Sequence, residues 1–161
     1  KNIDDIIQIE DQELIVNFLD IMENHKMLVE NSGLLTVAAL KHLDCKNKKV
    51  VSILSGGNMD IITLSSVVQH GLIQRGRVFT VSVQLPDRPG ELGKVANVIA
   101  EMKGNVIRLE HNQFVSINRN AAVELRITME AFGQDHKKEI IDRLKKEGYT
   151  PKEESPTGIY E

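Results

Sequence analysis

Two loops in this 161-residue sequence place glycine beside polar side chains just before a helical pattern begins. The first, residues 55–58, reads Ser-Gly-Gly-Asn and follows an apolar run. The second, residues 86–90, reads Pro-Asp-Arg-Pro-Gly and follows a run of alternating apolar residues. Because glycine has no side chain, a ligand can approach its backbone closely, and the free N–H groups that open a helix can bind an anion. Both loops are therefore candidate ligand sites.

The second loop carries groups that suit both ends of an amino acid. Backbone amides near Gly90, Glu91 and Leu92 are expected to bind the carboxylate. The ammonium group needs acceptors, and we nominate the Asp87 carboxylate and the Asn105 side-chain oxygen, the latter from the same chain or from a neighbouring subunit. The alternative is that Asp87 only caps the turn and Asn105 only starts a strand. For residues 55–58 the corresponding alternative is an ordinary strand-to-helix turn.

The second half of the chain has the pattern of a complete α+β domain. Alternating apolar residues predict strands and the 3–4 residue apolar spacing predicts helices. The predicted elements are a strand at 78–85, a helix after residue 90, strands at 105–111 and 121–130 that pair as a hairpin, a helix at 134–147, and a strand beginning at Tyr149 and Thr150. This βαββαβ order predicts a ferredoxin-like antiparallel sheet with both helices on one face. The open face predicts at least a homodimer.

The first half has the pattern of an incomplete α/β segment. Residues 33–43 predict a helix buried on most sides, and residues 50–54 predict a strand buried on both faces of a parallel sheet. Too few other strands are predicted here to complete such a sheet. We place the domain boundary near residues 74–77, which gives segments 1–76 and 77–151 and a polar tail at 152–161. The opening residue, Lys1, fits an excised piece or a processed initiator Met.

Composition excludes several classes of function. The formal net charge is −3, with no basic stripe, and only 4% of residues are aromatic, which argues against nucleic acid and against an RNA-recognition motif. Cys45 is the only cysteine, so a multi-cysteine metal site is impossible, and the five histidines are scattered without ligand-like pairing. We expect no metal, no membrane partner and a cytoplasmic location, since no apolar run is long enough to cross a bilayer.

The first half resembles the fold-type II pyridoxal-phosphate enzymes, in particular the threonine dehydratases (threonine ammonia-lyases). Residues 54–58 match the family's strand followed by Ser-Gly-Gly-Asn, and residues 27–33 look like its Val-Glu-Pro-Ala-Gly stretch, with Asn31 in place of proline. The resemblance implies that Ser55 hydrogen-bonds the pyridine nitrogen of the cofactor and that Gly56 lies against it. The family's Schiff-base lysine and phosphate-binding loop have no counterpart here. Pyridoxal phosphate is therefore expected in the full-length enzyme, and the fragment alone is predicted to be inactive and free of cofactor.

The second half resembles the ACT domain, through residues 85–92 and the strand entry at residues 104–106. The resemblance implies that the chain is the C-terminal regulatory fragment of an enzyme that converts threonine to 2-oxobutyrate and ammonia. Its ACT domain would bind an amino-acid effector, isoleucine or valine, and regulate the enzyme allosterically. The alternative is a stand-alone oligomerisation or small-ligand-binding module without a catalytic role. A metal chaperone on the same fold would need paired thiols, which one cysteine cannot supply.

Overall fold

A computed structural model describes residues 6–112 and 123–155, which form two compact units. The division falls between Gly71 and Leu72, a few residues before the boundary expected at residue 76. Each unit has its own hydrophobic core. The parts of the sequence-based predictions that fall on residues 121–122 and 156–161 lie outside the described residues.

The first unit is built from helices. Helix α1 spans Asp11–His25 and α2 spans Asn31–Ala38, followed by a short 3-10 helix at Ala39–His42. Helix α3, Ile61–Gln74, crosses the division between the units. The apolar stripe of α1 packs against α2, with Phe18, Leu19, Leu34 and Ala38 almost fully buried. Burial around α2 is incomplete, however, because Leu35 keeps 43% of its surface exposed.

The strand predicted at residues 50–54 does not form, so that prediction is wrong for this chain. Among the described residues of the first unit there is no strand, and Val51 and Ile53 are 87% and 74% exposed. The physical reason is that an apolar strand needs neighbours on both edges, and residues 6–71 of this unit do not supply them. The segment instead contacts α2, where the Thr36 hydroxyl donates a 3.1 Å hydrogen bond to the Ile53 carbonyl oxygen.

The second unit has the predicted βαββαβ order. Its elements are β1 (Val78–Leu85), α4 (Glu91–Glu101), β2 (Asn105–Asn112), β3 (Val123–Glu130), α5 (Gln134–Lys146) and β4 (Lys152–Glu154). The four strands form one antiparallel sheet in the order β2-β3-β1-β4. The predicted pairing of β2 with β3 is confirmed, with an irregularity between Val106 and Arg108.

Both helices of this unit cover one face of the sheet. The odd-numbered residues of β1 and β3 point to that face, because side chains alternate along a strand. They meet the apolar stripes of α4 and α5, which recur at three- and four-residue spacing. The resulting core includes Val81, Val83, Leu125, Ile127, Met129, Val95, Ile99, Ile140 and Leu144, each at most 1% exposed. Because this core holds the helices against the sheet, it positions the loops and helix termini that lie at the two ends of the sheet.

The opposite face of the sheet carries small polar side chains at its centre. Thr80 and Thr128 face each other across β1 and β3, and their hydroxyl oxygens lie 2.8 Å apart in a buried pair. Arg126 of β3 reaches Glu154 of β4, with 2.8 Å between Nε and Oε2. Since Arg126 pairs with Ser82 and Glu154 with Thr80, this ion pair crosses over β1 and shields the short side chains beneath it.

The threonine pair leads to a non-additive stability prediction. Thr80→Val or Thr128→Val alone should lower the free energy of unfolding by about 1 kcal/mol, because each leaves one buried hydroxyl without its partner. The double variant removes both hydroxyls and should lose less than the sum of the two. Urea denaturation of the four proteins measures the coupling, and simple additivity would contradict the shared hydrogen bond.

The end of the domain differs from the prediction. Residues 152–154, assigned to the polar tail, form β4 and pair with β1, whereas the strand was expected to begin at Tyr149. Tyr149 instead packs against the core, and Pro151 has no N–H to donate to a sheet. The strand therefore begins one residue after the proline, and it is held further by an ion pair between Lys137 and Glu153.

Candidate functional site

The loop between β1 and α4 turns sharply at Gly90. Arg88 N–H donates to the Pro86 carbonyl oxygen at 2.8 Å, which closes a tight turn just after the strand. Gly90 has a φ of 92°, in the left-handed region that favours glycine, and it caps the helix that begins at Glu91. The backbone amides of the first helical turn are thereby aimed out of the end of α4.

Two of those amides have no acceptor within the described residues. Leu92 N–H and Gly93 N–H form no backbone hydrogen bond, and no side chain caps the helix. The space beside them is open, since a Cβ built on Gly90 or on Gly93 would meet no atom within 4 Å. A helix start with free, accessible amides and a positive dipole end is a site for an anionic group.

The loop borders a cavity of about 330 Å³. Asp87, Gly90, Glu91 and Leu92 all line it, so the fold brings together four of the five residues nominated for effector binding. Besides Leu92, the apolar part of the lining comes from strand ends and prolines: Leu85, Val123, Pro86 and Pro89. The volume lies near the lower end of the range of small-molecule sites, about 300–1,000 Å³.

The two acidic residues of the loop differ in their contacts. Asp87 is exposed, and its carboxylate forms no hydrogen bond or ion pair with any residue in the described ranges. The helix is capped by Gly90 without a side-chain bond, so Asp87 does not cap it. Glu91, in contrast, accepts a 2.7 Å hydrogen bond from Lys94, and this bond raises the pKa of the Lys94 ammonium. Asp87 is thus the free carboxylate of the loop.

Asn105 lies at the other end of the sheet. It is the first residue of β2 and pairs with Glu130, whereas the loop lies at the end where Leu85 pairs with Val123. There Asn105 lines a second cavity of about 330 Å³, together with Lys103, Glu130 and Phe132 among others. A single copy of the chain therefore does not bring Asn105 to the loop.

Several residues of these cavities were not nominated from the sequence, and three of them carry polar groups beside the nominated residues. Arg88 and His111 also line the loop cavity, and Glu130 accepts a 2.8 Å hydrogen bond from Asn105 Nδ2. Arg88 could have been found, because it lies inside the recognised loop. His111 and Glu130 could not, because their positions depend on the pairing of β2 with β3, which sequence patterns predict only in outline.

In the first unit, the two stretches singled out by sequence lie against each other. Glu30 N–H donates to the Gly56 carbonyl oxygen at 3.3 Å, and a Cβ on Gly33 would lie 1.9 Å from the Ser55 carbonyl oxygen. Gly56 has a φ of 78° and faces the Glu30 side chain. The Ser55 side chain is exposed and its hydroxyl has no partner in the described part of the chain. The loop thus presents one unengaged hydroxyl on a closely packed backbone.

Other kinds of site find no support in the described residues. Within residues 6–112 and 123–155, no three His, Cys, Asp or Glu side chains are grouped closely enough to hold a metal ion. In the same ranges, every helix is too short or too polar to cross a membrane.

The second unit has a fold that agrees with a match to a known domain family. The family model described as "ACT domain" matches residues 79–148, from the second residue of β1 to two residues after the end of α5. Residues 79–148 are an ACT domain.

The chain as a whole is similar to threonine ammonia-lyases. It is 34% identical over 149 residues to the L-threonine ammonia-lyase of Geobacter sulfurreducens and 30% identical over 150 residues to that of Thermotoga maritima. These alignments cover 91% and 92% of this chain. It is also 29% identical over 153 residues to the L-threonine dehydratase biosynthetic IlvA of Pasteurella multocida. The chain spans 37% of the length of the first two relatives and 28% of the third.

Proposed function

We propose that this chain is the C-terminal regulatory region of a threonine ammonia-lyase and that its ACT domain binds an amino-acid effector, isoleucine or valine. The observation that carries the proposal is the pair of free amides at Leu92 and Gly93, which open onto a cavity beside the unengaged Asp87 carboxylate. The similarity to threonine ammonia-lyases over nine-tenths of the chain supports the enzyme class.

The geometry suits a zwitterion with an apolar side chain. The two amides donate to the effector carboxylate, and the dipole of α4 adds favourable electrostatics. Asp87 accepts from the ammonium group, with a charge-assisted hydrogen bond. The apolar lining, Leu85 and Val123, receives an aliphatic side chain. Isoleucine and valine fit this combination better than a polar amino acid, whose side chain would lose hydrogen bonds to water there.

A second copy of the chain is proposed to pair along β2 and to border the site. β2 is the outer strand of the sheet, with one edge unpaired in the described part of the domain. Antiparallel pairing of two such edges brings the first residue of one strand beside the last residue of the other. Asn105 of one copy then lies at the end of the partner's β2 that carries Asn112, with its side chain on the face of the sheet away from the helices. His111 lies at the same end on the helix side and lines the loop cavity. We therefore propose a homodimer in which the pairing of β2 brings the partner chain beside the effector site, with Asn105 outside the cavity.

The first unit is proposed to belong to the catalytic part of the enzyme. Ser55 and Gly56 would hold pyridoxal phosphate there. The Ser55 hydroxyl is unengaged, and Gly56 and Gly57 have no side chains that would keep a ligand away from the backbone. When bound, this cofactor supplies an electron sink for elimination of water from threonine. The Ser55 hydroxyl would hydrogen-bond the ring nitrogen and orient the ring. The chain alone is proposed to be inactive and cytoplasmic, and ammonia release from threonine by the pure chain would contradict the first part.

Calorimetric titration of the chain tests the effector proposal. We expect isoleucine or valine to bind, with threonine and serine weaker, because the cavity offers an apolar lining. Sedimentation with and without the amino acids distinguishes the alternative, a constitutive oligomerisation module, from ligand-linked assembly. If isoleucine, valine, leucine, threonine and serine all fail to bind, the regulatory proposal is wrong. Regulation itself requires that the effector bind two states of the enzyme with different affinity.

A further inference from the structure

A cavity of about 330 Å³ at the end of the sheet away from the loop takes no part in the proposed effector site. Asn105, Glu130 and Val78 border it. Glu130 pairs with Asn105 on one side and with Val78 on the other, and these three side chains lie on the face of the sheet away from the helices. Leu85 and His111 border the loop cavity from the helix side. The two cavities are therefore separate, and no described residue lines both.

Three polar side chains of this cavity carry groups that no described residue engages. Asn105 Nδ2 donates to Glu130 Oε2 at 2.8 Å, which leaves Asn105 Oδ1 and Glu130 Oε1 without a donor in the described part of the chain. Both atoms are acceptors, and the carboxylate also carries a negative charge. Lys103 lines the same cavity and is exposed, and its ammonium group has no hydrogen bond or ion pair with any described residue. Arg77 adds a second positive charge to the lining. The cavity thus combines a pair of acceptors with separate positive charges.

The rest of the lining is apolar and includes a phenylalanine that is both exposed and held in place. These apolar residues are Leu72, Val78, Ala131 and Phe132. Phe132 keeps 78% of its surface exposed, and its ring stacks on that of His136 with 4.7 Å between the centroids. His136 is bonded at both ring nitrogens, because Nδ1 accepts from Phe132 N–H at 3.0 Å and Nε2 donates to the Met102 carbonyl oxygen at 2.6 Å. The Phe132 ring is therefore supported on one face and available for contact elsewhere.

We propose that this cavity is a second amino-acid site of the domain and that it binds an amino acid with an aromatic side chain. The ligand ammonium group donates to Asn105 Oδ1 and Glu130 Oε1, and its carboxylate accepts from Lys103. The aromatic side chain packs against Phe132, because aromatic rings attract each other in offset or edge-to-face arrangements. The described lining of the loop cavity has no phenylalanine, tyrosine or tryptophan, so the two cavities favour different side chains. The proposal does not depend on effector binding at the loop.

The test is a titration of the full chain with phenylalanine, followed by the NMR shifts of its backbone amides. The largest shifts are expected at residues 103–105 and 130–132. Lys103→Gln should lower phenylalanine affinity about three- to tenfold, because it removes one charged partner of the carboxylate. Lys146→Gln on the exposed surface of α5 is the matched control, with the same change of charge, and should leave the affinity unchanged.

Two analogues that each lack one charged group assign the two ends of the ligand. 3-Phenylpropanoate has no amino group, and 2-phenylethylamine has no carboxylate. Lys103→Gln should weaken the binding of 3-phenylpropanoate but not of 2-phenylethylamine, whereas Glu130→Gln should weaken 2-phenylethylamine but not 3-phenylpropanoate. A variant that merely disturbs the fold would weaken both analogues, so the crossed pattern supports direct contact.

Three results would overturn the proposal. The first is a titration in which phenylalanine leaves the amides of residues 103–105 and 130–132 unshifted. The second is a set of shifts confined to residues 86–93, which would show that phenylalanine uses the loop cavity instead. The third is equal phenylalanine affinity of Lys103→Gln and Lys146→Gln, which would show that Lys103 does not hold the carboxylate.

Discussion

Gly93→Pro is expected to weaken isoleucine or valine binding roughly ten- to a hundredfold, since it removes one of the two amides proposed to hold the carboxylate. Proline deletes the N–H group, and a hydrogen bond to a charged group contributes about 1.5–3 kcal/mol. Gly93 lies in the first turn of α4, where its N–H has no intrahelical partner, so the helix loses no hydrogen bond. The measurement is calorimetric titration of the variant against the parent chain.

Gly93→Ala is the matched control for that experiment. It keeps the N–H group, and its Cβ would meet no atom within 4 Å, so binding should be retained. Alanine is also the better helix former, and the variant should be more stable by about 0.5–1 kcal/mol. Circular dichroism of both variants checks that α4 is intact. Equal affinity of the proline variant and the parent chain would show that the ligand does not use these amides.

Gly33→Ala is expected to destabilise the first unit by about 1–3 kcal/mol. Alanine at this position of α2 should favour the helix by propensity alone. Its Cβ, however, would lie 1.9 Å from the Ser55 carbonyl oxygen and 2.8 Å from Val29 Cγ1, so the loop at residues 55–58 must move. A backbone oxygen cannot turn aside as the end of a flexible side chain does. Packing therefore outweighs propensity here.

Gly33→Ala and Gly93→Ala should shift stability in opposite directions, although both put the same methyl group on a helical glycine. Urea denaturation measures each free energy of unfolding. Amide hydrogen exchange then locates the change, which should accelerate in α1 and α2 for Gly33→Ala and leave β1 and β3 unaffected. A Gly33→Ala variant as stable as the parent chain would show that the close approach of residues 30–33 and 55–58 is not maintained.

The ACT domain could be predicted from the sequence because its elements complete one another. The alternation in β1 and β3 and the stripes of α4 and α5 bury a core whose fully packed residues all lie within 79–148. The prediction of a strand at residues 50–54 was wrong for the opposite reason. Its pattern is as clear as that of β1, but a strand forms only with partners, and the described residues of the first unit offer none.

From the sequence, only the site residues that lie close together in the chain could be predicted to share a site. Asp87, Gly90, Glu91 and Leu92 lie within six residues, so a loop motif identifies them together. Asn105 could be named as a chemical type but not placed, because strand pairing puts it at the far end of the sheet. The free state of Asp87, in contrast to the bond between Glu91 and Lys94, is a matter of side-chain geometry that residue types do not determine.

His111 belongs to the edge strand β2 and also lines the loop cavity, which links effector affinity to protein concentration. Because the proposed pairing of β2 brings a second copy beside each site, mass action couples occupancy to dimer formation. Dilution should weaken apparent binding and added amino acid should oppose dissociation, so a cell could change its sensitivity to the effector through the amount of enzyme it makes.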